Sequence, residues 1–342
     1  MIVKKTAVMV LIGVFIAAFF VFCNQPATAA DKKPINLKFA YWMPTRHTLH
    51  GTHQKFAKEV ELLTKGQVKI TLYPGGALGK PKEQWDMAVG GIVDISFFIP
   101  SYTSGRFPFT SGLDLPLVVG GSAKVNTAIA WDIFERFLAP EYKAAKMLIF
   151  YGAEPFTIHT TKKQIRTLED LKGLKIRSSG AMQSATVKQL GGIPVTMPIS
   201  EAYTALEKGV VDGILTAFTA MKSFRLYDVC KYSIMMGLNS SPFAVAMNLK
   251  KWNSLPKDVQ AVFDRLRVRY SFQSAIDYDY DRIKAIKFGK DKGKVIEPLP
   301  PKEFQKWMDR VTPLHDKWAA DMKAKGLPGR EMLNAISELK GK

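Results

Sequence analysis

Arg177 is the residue with the clearest chemical potential. It closes the run L-E-D-L-K-G-L-K-I-R-S-S-G, and the stretch from Thr167 to Gly213 reads as helix, strand, helix, strand, helix, strand with little slack between elements. The spacing predicts a strand over Leu174–Arg177 that gives way to a Ser178-Ser179-Gly180 turn. In open α/β sheets, ligands bind beyond the carboxyl ends of the strands. An arginine there offers a planar fork, charged at any pH, that matches a carboxylate. The helix that follows adds the positive potential of its free N–H groups. Position alone leaves two readings open, an anion clamp beside Ser178 or a salt bridge on the surface or between domains.

Other residues with chemical potential are less ordered. His47, His50 and His53 stand three apart. On a helix the third imidazole drifts from the first, and no Cys or carboxylate completes a ligand set, so no metal site is expected; capping or solvent exposure is the default role, and a place on a cleft wall is the other reading for one of them. Tyr41, Trp42, Phe97, Phe98, Tyr102 and Phe218 follow or end expected strands, where loops form a cleft, so each is a candidate to stack on a ligand or to fill the core. Serine-hydrolase, zinc-protease, phosphate-loop and C-x-x-C signatures are absent, and nothing calls for a cofactor.

The elements that position these residues follow from periodicity. Strands are expected at Ile35–Ala40, Val68–Tyr73, Ile92–Phe98, Met147–Tyr151 and Pro194–Met197. Helices are expected from Leu49 to Thr64, from Pro81 to Gly90, from a Thr167 cap to Gly173, from Met182 to Leu190 and from a Ser200 cap to Gly209. The alternation implies βα units and a mainly parallel sheet. A-V-G-G-I-V-D-I, ending at Ile95, is echoed by L-E-K-G-V-V-D-G-I, ending at Ile214, as two α/β lobes of related design would produce. From Lys257 apolar residues recur at helical spacing as far as Phe288 with no proline or glycine, which predicts one helix of about 30 residues, long enough to lie across both lobes. Two amphipathic helices anchored by Trp307 and Trp318 are expected after Pro301.

The 342 residues allow two domains with real cores. Lys4 and Lys5, the apolar run Ala7–Phe22 and the small residues Ala27-Thr28-Ala29 form a signal-peptide pattern, so residues 1–29 are expected to be cleaved and the chain exported to the periplasm. No later stretch approaches a membrane span, so the mature protein is not expected to be membrane-embedded. It keeps one cysteine, Cys230, which excludes an internal disulfide and suits a buried structural role. The formal charge of +19 drops to +17 without Lys4 and Lys5, since residues 1–29 hold no acidic side chain. The lysines are interleaved with acids and the chain is exported, which argues against a nucleic-acid partner and leaves at most steering of anionic ligands.

The motifs D-L-K-G-L-K-I-R and G-G-I-P-V-T-M-P-I-S-E-A-Y-T-A-L-E-K-G-V-V-D-G closely resemble the periplasmic solute-binding proteins of tripartite ATP-independent periplasmic (TRAP) transporters, the DctP-like family. G-Q-V-K-I-T-L-Y-P-G-G-A-L-G, M-N-L-K-K-W-N-S-L-P and the long late helix extend the likeness over nearly the whole mature chain. The resemblance implies an α/β, two-lobed periplasmic-binding-protein fold with a hinge and a long helix spanning both lobes. Lobe I would comprise residues 30–154 plus about 243–280, and lobe II residues 155–242 plus about 281–342. It implies a monomer without cofactor that closes on an organic acid and delivers it to the small and large subunits of a TRAP membrane permease driven by an ion gradient, commonly of sodium. In this family the arginine matching Arg177 clamps the substrate carboxylate. The chain departs from sialic-acid and C4-dicarboxylate binders, whose V-D-G-Q-E-N places a ligand-binding Asn where Thr216 stands. A second arginine often found ahead of the clamp is also missing, since that region reads Phe156-Thr157-Ile158-His159. The expected ligand is therefore a monocarboxylate, aromatic or hydroxy/keto-substituted, with His159, Thr216 and Phe218 tuning the pocket. A periplasmic enzyme or a sensor-coupled binding protein on the same scaffold is the alternative.

Overall fold

The computed structural model describes residues 33–340, so the expected signal peptide lies outside the described residues. The first lobe begins with β1 (Ile35–Ala40), α1 (Thr48–Leu63), β2 (Val68–Tyr73), α2 (Gln84–Val89), β3 (Ile95–Phe98), α3 (Ala123–Ile133) and β4 (Ala145–Gly152). The second continues with β5 (Thr157–Thr160), β6 (Lys175–Ser178), α4 (Ala181–Gln189), β7 (Ile193–Thr196), α5 (Ala202–Glu207), β8 (Gly213–Thr216), α6 (Phe218–Ser223) and β9 (Tyr232–Ile234). β10 (Pro242–Asn248), α7 (Leu249–Ser254), α8 (Lys257–Asp291), β11 (Val295–Glu297), α9 (Pro301–Val311), α10 (Pro313–Ala324) and α11 (Gly329–Lys340) follow. The first sheet has the order β2-β1-β3-β10-β4, and the second β11-β9-β5-β8-β6-β7.

The sheets are mixed rather than simply parallel. β10 runs antiparallel to both β3 and β4, and β5 runs antiparallel to both β8 and β9. Both reversed strands begin where the chain crosses between lobes. The two crossings, at Ala153–Phe156 and Met235–Ser241, lie side by side. The Ala153 amide donates to Ser241 O at 2.9 Å, Phe156 to Asn239 O at 2.6 Å and Leu238 to Phe156 O at 2.8 Å. This short antiparallel ribbon joins the lobes and places Phe156 at their junction.

α8 is one continuous helix of 35 residues, packed on α1, α3 and β4 of the first lobe and on α6 and β11 of the second. The last helices are three rather than two. Trp318, Met322, Met332 and Ile336 of α10 and α11 join the first lobe's core with Trp85, Phe98 and Phe134, while α9 touches α4 of the second lobe. This is a finer division than the assignment of residues 281–342 to lobe II.

The internal echo has a common structural basis. Asp94 accepts the Lys38 amide at 2.8 Å beside the parallel pair β1 and β3. Asp212 accepts the Lys175 amide at 2.9 Å beside the parallel pair β6 and β8. In each lobe a carboxylate at the start of one strand ties down its neighbour. The expected helix after Thr167 is only a 3-10 turn, Glu169–Leu171, and Ser200 lies inside the 3-10 turn Ile199–Glu201 instead of capping a helix. Cys230 is buried, and its surroundings push the thiol up to about 12, as suits a structural residue.

Candidate functional site

A narrow cavity lies between the lobes, lined by residues of both. Arg177 lines it from β6, one residue short of the strand end, because the strand runs on through Ser178. The side chain is 2 % exposed and forms no salt bridge among the described residues. Its Nε–H donates to Met197 O at 2.8 Å, and Nη2 donates to Tyr102 Oη at 3.3 Å. The guanidinium is thus held in plane by the second lobe on one side and touched by the first on the other. Its remaining N–H donors have no partner among the described residues. Burial lowers its pKa from the ordinary arginine value, and Tyr102 opposes that shift. A buried cation without a counter-ion costs several kcal/mol unless an anion joins it.

Tyr102 ends a 3-10 turn, Pro100–Tyr102, directly after β3. Its oxygen also accepts the Ile199 amide at 3.1 Å, so one hydroxyl of the first lobe binds two groups of the second. The lobes meet closely here. A Cβ on Gly180 would lie 2.7 Å from Ser101 O and 2.9 Å from Ser101 Cβ, so only glycine fits between that turn and the start of α4. Gln183 of α4 bridges inward, accepting the Ser179 amide and donating to Ser241, each at 3.1 Å. Ser241 donates to the buried Asp114, whose carboxyl burial pushes up to about 7.

The rest of the lining is mostly apolar: Trp42, Ile99, Phe156, Ile199, Phe224 and Phe243 are among it. His47 lines the cavity from the first lobe, where its Nδ1 accepts the Leu49 amide at 3.2 Å and so caps α1. Burial pushes its pKa down to about 3, which keeps the ring neutral. Arg177 is therefore the sole cation among the described residues lining the cavity.

Of the residues singled out in the sequence, Arg177, Thr216, Trp42 and Tyr102 meet at this cavity. The others stand behind its walls. His159 is fully buried in β5, its Nδ1 paired with Ser233 Oγ at 2.7 Å and its Nε2 with the Thr216 carbonyl at 3.3 Å, so it holds the strand that carries Thr216. Phe218 packs edge-on against that imidazole at 5.0 Å. Tyr41 turns inward to His50, 2.6 Å from its Oη. Phe97 packs behind Trp42 and Phe243, and Phe98 belongs to the first lobe's core. Ser178 pairs with Ser184 at 2.7 Å. His50 and His53 serve the core around Tyr41, and no metal-binding cluster is found among the described residues. Phe156, Phe224, Phe243, Ser241 and Tyr278 line the cavity without having been picked out as candidates, and His47 is the one of the three spaced histidines that lines it. Phe156 had a usable signal, since it falls in the stretch where the second arginine is missing.

Comparison with known proteins agrees with this architecture. The family described as DctP, bacterial extracellular solute-binding protein, family 7, matches residues 39–321. The chain belongs to that family. A TRAP solute-binding protein from Rhodoferax ferrireducens T118, solved with copurified benzoate, superposes with a TM-score of 0.86 at 26% identity, covering 89% of this chain and 97% of that one. A TRAP periplasmic solute-binding protein from Bordetella bronchiseptica, solved with (R)- and (S)-mandelate, gives 0.84 at 28% identity, covering 90% of this chain and 99% of that one. The 2,3-diketo-L-gulonate-binding periplasmic protein of Escherichia coli K12 is 26% identical over 332 residues, 96% of this chain and 97% of its own. The DctP family is one of solute-binding proteins without enzymatic activity, and it takes small organic acids for TRAP-type transport. No helix among the described residues is long and apolar enough to cross a membrane.

Proposed function

We propose that this DctP-family receptor binds a monocarboxylic acid with an apolar, aromatic body and delivers it to a TRAP permease of small and large membrane subunits. The observation that carries the reading is one buried, unpaired arginine in a cavity otherwise walled by aromatic and aliphatic side chains. The carboxylate lies in the fork of Arg177 and accepts the remaining N–H donors, with Tyr102 free to donate its hydroxyl proton to the same group. A dicarboxylate would leave its second charge in the cavity without a cation, because Arg177 is the one cation among the described lining residues and His47 is neutral. Burying an unpaired carboxylate costs several kcal/mol, so the second charge selects against the ligand rather than for it. The ligands of the Rhodoferax and Bordetella relatives, benzoate and mandelate, are monocarboxylates of this shape. Export by a cleaved signal peptide, function as a monomer in the periplasm and hand-over to the permease complete the proposal.

Isothermal titration with benzoate, mandelate, phenylacetate and succinate tests it. The aromatic acids should bind and succinate should not. Arg177→Ala should weaken binding by about 2–5 kcal/mol, roughly 30- to 5000-fold. Arg177→Lys, which keeps the charge but not the fork, should recover only part of the loss. Tight succinate binding, or unchanged affinity in Arg177→Ala, would overturn the assignment.

A further inference from the structure

The cavity has two polar ends, and the Arg177 reading uses one of them. A wall of rings runs between them. Tyr102, in contact with Arg177, lies 5.7 Å from Trp42 by ring centroids; Trp42 lies 6.0 Å from Phe224, and Phe224 lies 5.9 Å from His47. Beyond Phe224, His47 is also 5.8 Å from Tyr278, which α8 contributes. Trp42 and Phe224 line the wall between the imidazole and the Tyr102–Arg177 end. With the carboxylate placed at Arg177 as proposed above, a different group of the ligand meets His47.

The His47 end has a defined donor pattern. Nδ1 accepts the Leu49 amide, which fixes the neutral tautomer with its proton on Nε2. Nε2 has no partner among the described residues, although His47 is only 3 % exposed. The Tyr278 hydroxyl likewise has no partner among the described residues, although its ring is buried. Both residues line the cavity. The pair offers one N–H donor and one hydroxyl that can donate or accept, with no charge. A hydroxyl oxygen completes it by accepting from Nε2–H and donating to Tyr278 Oη. An ammonium group cannot accept from Nε2–H, and a second carboxylate would sit there without a cation.

We propose that His47 and Tyr278 form a hydroxyl-reading subsite, so that the ligand is an aromatic acid with a hydroxyl group remote from its carboxylate. The proposal rests on the monocarboxylate reading of Arg177 and extends it to the opposite end of the ligand. Leaving buried donors unmatched costs about 1–3 kcal/mol. An acid that carries the remote hydroxyl should therefore bind about 5- to 150-fold more tightly than its hydroxyl-free parent.

Titration of the whole mature protein with two pairs, 3-hydroxybenzoate against benzoate and 4-hydroxyphenylacetate against phenylacetate, tests this. At least one hydroxylated acid should bind more tightly than its parent by a factor in that range. Tyr278→Phe, which keeps the ring, and His47→Ser, which keeps a helix-capping oxygen, should each bring that ratio close to one. Purely structural roles would weaken both members of a pair together and leave the ratio intact, and that result overturns the proposal. So does equal binding of both members of each pair by the unaltered protein. If no aromatic acid binds, the parent reading fails instead, and 5-hydroxypentanoate against pentanoate decides the subsite by the same ratio: a preference lost in Tyr278→Phe supports it, and equal binding overturns it.

Discussion

The Tyr102 oxygen accepts from Arg177 and from the Ile199 amide, which leaves its own proton for a third partner. Tyr102→Phe would strand a buried backbone amide and one guanidinium N–H. Acid binding should weaken by about 1–3 kcal/mol, roughly 5- to 150-fold, with the fold unchanged by circular dichroism. Calorimetry that gave the same dissociation constant for both proteins would contradict the role. At this scale the sequence singled out Arg177 with two readings open, and the structure places it on the cavity wall with no salt bridge among the described residues. The sequence was less legible for the aromatic candidates. Consecutive strand residues point to opposite faces, so in β3 Phe97 stands behind the wall while Phe98 enters the core; just past the end of β1, Trp42 lines the cavity while Tyr41 turns to His50. Which of each pair faces a ligand depends on register, and register is set by partners distant in the chain. His159 and Phe218 follow the same logic, one strand or helix start removed from Thr216.

The elements around the cleft are short, and their ends do the positioning. α4 starts at Ala181, immediately after Gly180 meets Ser101 of the other lobe. Gly180→Ala would drive a methyl into a backbone carbonyl, which side-chain rotation cannot relieve. The lobes should then be unable to approach fully. Acid affinity should fall at least tenfold, about 1.4 kcal/mol, while thermal stability without ligand changes little. Small-angle scattering with saturating benzoate should show a larger radius of gyration than for the unaltered protein. An equal radius with equal affinity would show that the close approach has no part in binding. Long elements such as α1, β2 and α8 were legible to within a few residues, because their periodicity is sustained. The turns after Thr167 and Pro198 were not, because a cap signal marks where a helix can begin and not whether it has room to continue. β10 and β5 run against both neighbours because each starts at a lobe crossing, a feature of connectivity that no local pattern encodes.

The whole molecule buries several groups whose titration ties stability to pH. Burial pushes Asp114 up to about 7 and Glu154 up to about 8, and it pushes His47, His53 and His159 down to about 3. The folded state keeps the two carboxyl protons that an unfolded chain releases, so stability is lost as pH rises through 7 and 8. Below the ordinary histidine value of 6.5, the unfolded chain takes up three protons that the folded state refuses. His50 and His315 are also pushed down and Glu141 up, so shifted imidazoles outnumber shifted carboxyls there, and stability also falls as pH drops. The melting temperature should therefore peak near pH 6.5, and Asp114→Asn should reduce the loss on the alkaline side. A melting temperature that climbed steadily from pH 6.5 to 9 would contradict this. The two-lobed plan was legible from the alternation of elements and the Asp94–Asp212 echo, whereas the seating of α10 and α11 on the first lobe's core was hidden, because amphipathic spacing marks an apolar face without naming its partner. The position of β10 has a further consequence for how the chain comes into being. It fills the gap between β3 and β4, yet synthesis reaches it only after every strand from β5 to β9. A nascent chain shorter than 241 residues has a first sheet that lacks one of its inner strands, so β3 and β4 cannot be joined until most of its length has been made.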